Sequence, residues 1–317
     1  MIDITLLGTA ALLPLPDRAL TAAALTCCGR TVLLDCGEGT QTAARRAGVN
    51  LMSADVIALT HYHGDHCFGL PGLMQTMLCM NRASPLLIVG PGDIKRELAP
   101  IMQLAGGLSY PVWLEEMPRE GLALRQRFPG WPPEARLSAF PTQHRVPSQG
   151  YVFTLGRPPL FLPDRARALG VPVQQWKALQ HGQPVEAGGR VVQPREVQGP
   201  ERKGLKFVFS GDTAACDSLT AAARGADLLI SEATYGENGQ AQLASEQGHM
   251  NFAQAARTAA QAGVQRLWLA HFSQQMEEPE AFLCNAQAHF PQAECGQDGM
   301  KLTLRFSQEP IDKVDNS

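Results

Sequence analysis

Thr60-His61-Tyr62-His63-Gly64-Asp65-His66 carries three imidazoles and one carboxylate within six residues. The run before it, Asp55-Val56-Ile57-Ala58-Leu59-Thr60, is mostly apolar and reads as a buried strand. Side chains alternate along an extended chain, so His61 and His63 point the same way. Gly64 then permits a sharp turn that sends Asp65 and His66 in a second direction. Two ligand pairs facing two directions suit two adjacent metal ions better than one. Imidazole together with carboxylate favours zinc, with manganese or iron as alternatives. Only eight His occur in the chain, and three of them sit here.

Further ligands are expected downstream. His144, Asp212 and His271 each follow an apolar or mixed strand, at Leu137-Ser138-Ala139-Phe140, at residues 206–210 and at residues 266–270. Sites in layered α/β folds gather outside strand ends. With the first four groups these three make seven, and Asp212 as a carboxylate is able to bridge two ions. That is enough for a two-metal hydrolytic site with water positions left open. Upstream, Asp35 stands at a strand end in Asp35-Cys36-Gly37-Glu38-Gly39-Thr40. It either steadies a ligand from behind or simply forms the turn.

The rest of the chain supports one layered α/β domain over 1–317. Hydrophobic residues make up 44% of the 317, so the chain is globular. Net charge is −3, so a nucleic-acid partner would need a local basic patch. The eight Cys show no paired metal spacing and read as reduced thiols of a cytoplasmic protein. The N-terminus reads as a strand and not a signal peptide. No apolar run approaches the roughly 18 residues of a membrane span. A hairpin is expected about Gly29-Arg30, and helices over 41–47, 73–80, 93–104 with Asp93 as N-cap, and 251–263.

The motifs together resemble the metallo-β-lactamase superfamily, whose HxHxDH signature His61 to His66 matches. The longer string His63-Gly64-Asp65-His66-Cys67-Phe68-Gly69-Leu70-Pro71-Gly72 is similar to the ribonuclease Z family of tRNA 3′-end endonucleases. So are Asp35-Cys36-Gly37-Glu38-Gly39-Thr40-Gln41, Ser210-Gly211-Asp212-Thr213, Glu232-Ala233-Thr234, Gly248-His249 and His271-Phe272-Ser273, in that order. The resemblance implies an αββα sandwich with a protruding arm, usually a homodimer, and two Zn2+ per chain, with Mn2+ as the alternative. It implies that His61, His63 and His144 hold one ion, Asp65, His66 and His271 the other, and Asp212 bridges. His249 would be the catalytic acid that is not a ligand, steadied by Glu232, and Asp65 would also orient the attacking water. Read without the resemblance, His249 caps the helix that begins near Asn251.

The chain departs from the family at Ser231, where His is usual, at Met250-Asn251, where Ser-Thr is usual, and at Gln274-Gln275-Met276, where Arg-Tyr is usual. These departures bear on substrate contacts and favour a small-molecule phosphodiesterase, for example on cyclic phosphates, as the alternative function. A non-catalytic RNA-binding relic is a third reading, and the full ligand set argues against it. The stretch 155–204 favours the first reading, cleavage of precursor tRNA. It lacks periodicity, is rich in Gly and Pro, and carries a net charge of +4 against −7 for the remainder. In ribonuclease Z this region is the arm that grips tRNA. The plain alternative is a long basic surface loop, but phosphate contacts need such cations.

Overall fold

The computed structural model describes residues 1–307. The last ten residues of the expected 1–317 domain lie outside the described residues. Two compact units emerge. The larger comprises Met1–Thr154 and Lys206–Arg305, and the smaller Leu155–Leu205 with Phe306 and Ser307.

Two seven-stranded sheets organise the chain. The first runs Lys301–Leu304, Ile2–Gly8, Ala22–Cys27, Arg30–Leu34, Ala54–Ala58, Leu86–Gly90, Val112–Glu116. Its first four strands pair antiparallel, and the pairs from Arg30–Leu34 onward are parallel. The second runs Ala293–Cys295, Leu267–Ala270, Leu228–Glu232, Arg202–Phe209, Gln149–Arg157, Ala135–Pro141, Leu122–Ala123, with its first three pairs parallel. Parallel strands covered on both faces need continuous apolar runs. Ala54–Ala58, Leu86–Gly90 and Leu228–Glu232 are buried at every position.

Each sheet is covered by its own helices. Leu73, Met74 and Met77 of Leu70–Cys79 and Leu98 and Ile101 of Ile94–Ala105 pack on Leu33, Ile57 and Ile88 of the first sheet. Ala255, Ala256 and Ala259 of Phe252–Ala262 pack on Val208, Leu229 and Leu269 of the second. Between the sheets, the Tyr151 hydroxyl donates to Leu59 O at 2.7 Å. The layers are therefore helix, sheet, sheet, helix, as expected.

Local expectations needed adjustment. The hairpin turns at Cys28-Gly29, both with positive φ, and Arg30 already belongs to the strand. The two positive φ values match the twist of the flanking strands. The helix expected over 73–80 starts earlier, at Leu70, with Pro71 in the first turn, where its missing N–H costs nothing. Asp93 precedes Ile94–Ala105 but makes no side-chain cap, and pairs instead with Arg96 at 3.6 Å. The stretch 155–204 is no plain loop. It contains helices Pro163–Ala168 and Val173–Gln180 and the hairpin Val185–Ala187 with Arg190–Val192. Ala166, Val171, Leu179, Val192 and Val197 form its small core, with Phe161 and Trp176 packed against it. Elements of three to eight residues are too short to register as periodicity.

Candidate metal centre

Asp35, His61, Asp212 and His271 lie within three residues of strand ends, His66 lies in the short helix Gly64–Cys67, and none of the five is more than 3% exposed. Strand ends leave the backbone free to take unusual conformations. Five non-glycine residues among those described have positive φ, and three of them, Leu12, Asp35 and His271, touch this cluster. Such strain persists only where surrounding bonds enforce it, and it concentrates at functional sites.

The change of direction after His63 is real but has a different cause from the one expected. Gly64 has no positive φ; it opens the one-turn helix Gly64–Cys67, which carries Asp65 and His66. A Cβ there would lie 2.6 Å from the ring of Phe68, which is exposed and would have to turn aside.

Hydrogen bonds behind the rings decide which nitrogen faces inward. The Asp35 carboxylate accepts from Thr60 N at 2.7 Å and Thr60 Oγ1 at 2.9 Å, and stands 2.8 Å from His66 Nδ1. Having donated to Asp35, Thr60 Oγ1 accepts from His61 Nδ1 at 3.0 Å. His144 Nδ1 donates to Gly248 O at 2.9 Å, and His271 Nδ1 to Thr234 Oγ1 at 2.9 Å. Four imidazoles are thereby left with Nε2 pointing inward. His63 presents Nδ1 instead, 2.9 Å from His61 Nε2 and 3.5 Å from His144 Nε2. Asp35 thus steadies candidate ligands from behind rather than merely forming a turn.

The inward atoms fall into groups whose members lie within 4.8 Å of one another. One group is His61, His63, His144 and Asp212, another Asp65, His66 and His271, and a third Asp212, His249 and His271. Asp212 links them. Its Oδ1 lies 3.3 Å from His66 Nε2 and 3.2 Å from His271 Nε2, and its Oδ2 lies 3.8 Å from His61 Nε2 and 4.0 Å from His144 Nε2. Asp65 Oδ2 stands 3.5 Å from both His66 Nε2 and His271 Nε2 and accepts from Leu12 N at 2.8 Å.

Asp212 Oδ1 is buried with no hydrogen-bond partner. A carboxylate oxygen left in that state is costly unless a cation meets it. Together with five inward imidazole nitrogens, it makes the donor set fit two divalent transition ions. Burial, helped by His66, pushes His61 well below the usual imidazole value, and burial with His144 lowers His63, so both rings are neutral as ligands must be. His66 goes the other way: burial opposes its charge, but Asp212 and Asp35 raise it well above the usual value, and a bound cation would take the place of that proton. Burial opposes charge at Asp212, yet His271 and His66 hold it well below the usual carboxylate range.

His249 lies beside this centre, its ring stacked on His271 at 5.6 Å and 5.0 Å from that of His144. It does not cap the next helix; Asn251 does, in a capping box with Gln254 at 2.9 Å each way. His249 Nδ1 is held by Glu232 Oε1 at 2.8 Å. Glu232 also accepts from Thr213 N, Met250 N and Thr234 Oγ1, at 2.8, 3.0 and 2.8 Å. One buried carboxylate therefore orients His249 directly and His271 through Thr234. Burial opposes protonation of His249, but Glu232 outweighs it and raises the imidazole to about 9.

Sequence reasoning did not find Thr60, Thr234, the Gly248 carbonyl or Leu12 N. The threonines flank the motifs and were within reach; a backbone amide at Leu12 leaves no signal in a sequence. Gly248 has φ +76, and a Cβ there would sit 2.9 Å from His144 Nδ1. Four of the departures prove to be interior positions: Ser231, Met250 and Asn251 are fully buried and Met276 is buried too, whereas Gln274 and Gln275 are exposed. A cleft of 320 Å³ lined by Tyr62, His63, Arg96 and Pro147 opens beside the cluster. A larger cavity of 660 Å³, lined by Arg18, Glu38 and Arg46, includes none of the ligands.

Residues 2–153 match the family model described as anti-Pycsar protein Apyc1, and residues 170–272 that described as beta-lactamase superfamily domain. A protein named ribonuclease Z from Lachnoclostridium phytofermentans is 37% identical over 97% of this chain and 99% of its own length. One of the same name from Methanothermobacter thermautotrophicus is 37% identical over 96% of this chain and 97% of its own. The crystal structure of human tRNase Z, short form, matches with a TM-score of 0.67 at 27% identity, covering 96% of this chain and 100% of that one.

Proposed function

Since the chain belongs to the ribonuclease Z family, we propose that it is a metal-dependent tRNA 3′-processing endoribonuclease. Its products would be a 3′-hydroxyl on the tRNA and a 5′-phosphate on the trailer. The observation that carries the chemistry is Asp212, buried and presenting one oxygen to each of two donor groups. His61, His63 and His144 would hold one ion, Asp65, His66 and His271 the other, with Asp212 shared. Two Zn2+ fit the donors, with Mn2+ as the alternative. Bound there, the ions supply Lewis acidity that lowers the pKa of a shared water and offsets charge on the phosphoryl oxygens.

The chain's own groups do the rest. His249, protonated and held at Nδ1 by Glu232, donates from Nε2 to the leaving 3′ oxygen. Glu232 touches no reacting atom in this scheme; it is a positioning residue. Asp65, tied to Leu12 N, serves as a ligand and orients the attacking water. The smaller unit would bind the body of the tRNA. Arg165, Arg167, Lys177, Arg190 and Arg195 are exposed on it, and such cations bind phosphates. A homodimer in the cytoplasm is the setting we infer.

The test is incubation of the purified protein with a 3′-extended precursor tRNA and with bis-p-nitrophenyl phosphate, side by side, with the product ends mapped. Cleavage at the tRNA 3′ end is expected. Turnover of the small diester alone would replace this reading with that of a small-molecule phosphodiesterase.

A further inference from the structure

Arg96 and Arg145 both border the cluster, and their charges are differently engaged. Arg96 lines the cleft beside His63 but is paired with Glu97 at 2.6 Å and Asp93 at 3.6 Å. Arg145 follows His144 directly and donates to Oε1 of Gln247, a neutral amide two residues before His249. Gly248 ties the two segments together, since a Cβ there would meet His144 Cα at 3.0 Å and Arg145 N at 3.3 Å. Tyr235 stands on the same side, half-buried, its ring 6.4 Å from that of His249. Burial and Glu232 raise its phenol, and the Arg145 charge opposes them. A cation whose partner among the described residues is neutral, an aromatic face and the proposed general acid thus share one rim of the centre.

We propose that Arg145 and Tyr235 form the subsite for the nucleotide that carries the leaving 3′ oxygen. Arg145 holds that nucleotide's 5′-phosphate, and Tyr235 stacks on its base. The assignment rests on the role given to His249: an acid that protonates the leaving oxygen must face the leaving nucleoside, so the groups flanking it face that nucleoside too. A guanidinium fork matches phosphate oxygens, and a neutral, half-buried amide such as Gln247 is the weaker partner for it. Stacking on an aromatic face tolerates any base. The subsite therefore requires a nucleotide without choosing which, as an enzyme acting on many tRNAs needs.

Adenosine 5′-monophosphate ends in the same 3′-hydroxyl as the cleaved tRNA and serves as the probe. Its inhibition of bis-p-nitrophenyl phosphate hydrolysis by the holoenzyme is compared with that of inorganic phosphate, which reports on the ion-binding centre alone. Calorimetric titration of both ligands gives a second readout. In Arg145→Gln the ratio of the two inhibition constants should shift against the nucleotide by about tenfold. Tyr235→Ala should shift it by about fivefold, and Tyr235→Phe should restore it because the ring remains. A ratio unchanged in both Arg145→Gln and Tyr235→Ala, or a nucleotide that binds the wild type no better than phosphate, overturns the subsite. If precursor tRNA is cleaved while the ratio stays flat, the subsite alone falls. If precursor tRNA is never cleaved while the ratio responds, the subsite stands and the tRNA reading falls.

Discussion

The two donor groups that share Asp212 are built differently. Asp65, His66 and His271 are all buried, whereas the other group, with His61 and the His144 side chain buried, opens to the surface at His63. Behind the buried group stand carboxylates: Asp35 at His66, Glu232 through Thr234 at His271, and Asp65 itself among the ligands. Behind the open group the carboxylate is less direct: Asp35 reaches His61 only through Thr60 Oγ1, and His144 rests on the neutral Gly248 carbonyl. Negative charge in a dry setting attracts a cation far more strongly than neutral nitrogen at a wet surface. If each group holds an ion as proposed, the contrast implies a division of labour, with one ion held firmly inside and a second nearer the surface beside His63.

Removing the shared group should have the largest effect. Asp212→Ala is expected to lose both ions and more than about 10³-fold in rate, beyond what one lost electrostatic donor costs. Two ions retained by elemental analysis would mean that Asp212 does not join the groups. His249→Ala should keep both ions and lose about 10²–10⁴-fold on precursor tRNA. It should lose less on bis-p-nitrophenyl phosphate, whose leaving group needs no proton; equal losses would count against the acid role. Because His249 is raised to about 9, the proton is present below that value and lost above it. Precursor cleavage should therefore fall as pH rises through the alkaline limb, which bound divalent ions displace downward. Glu232→Gln should shift that limb lower still.

Asp35→Asn probes the contrast itself. It removes the carboxylate that meets His66 directly and His61 only through Thr60, so it should weaken the inner ion by about 10–100-fold and the outer ion less. Equal weakening of both in competition with a chelator would mean the halves are not distinct. The smallest effect is expected from the smaller unit. Replacing 160–192 by a Gly-Ser linker should raise the KM for precursor tRNA and flatten its salt dependence, since fewer phosphates are neutralised. Small-diester turnover should persist. An unchanged KM and salt slope would reduce that unit to a spacer.

The sequence was most readable where one residue type carries one meaning. His61, His63 and His66 cluster too tightly to overlook, and His144, Asp212 and His271 each follow a strand that its apolar run announces. What backs them was less readable. Asp35 looked equally like a turn residue, because a carboxylate at a strand end suits both and only the fold brings it to His66. His249 looked like a helix cap for the same reason, until Asn251 took that place. Ser231, Met250 and Asn251 looked like altered substrate contacts, but burial is a property of the fold and they belong to the interior. The unit around 155–204 reads as loop because its helices are too short to repeat a pattern.

The account's central claim is a single bridged centre with unequal halves. Its most direct test is a graded chelator titration of the zinc-loaded protein, with ion content and precursor cleavage followed together. Two ions per chain leaving in separate steps, the first accompanied by loss of activity and the second requiring far stronger chelation, is the predicted result. One ion per chain, or two leaving together at the same chelator strength, would contradict it.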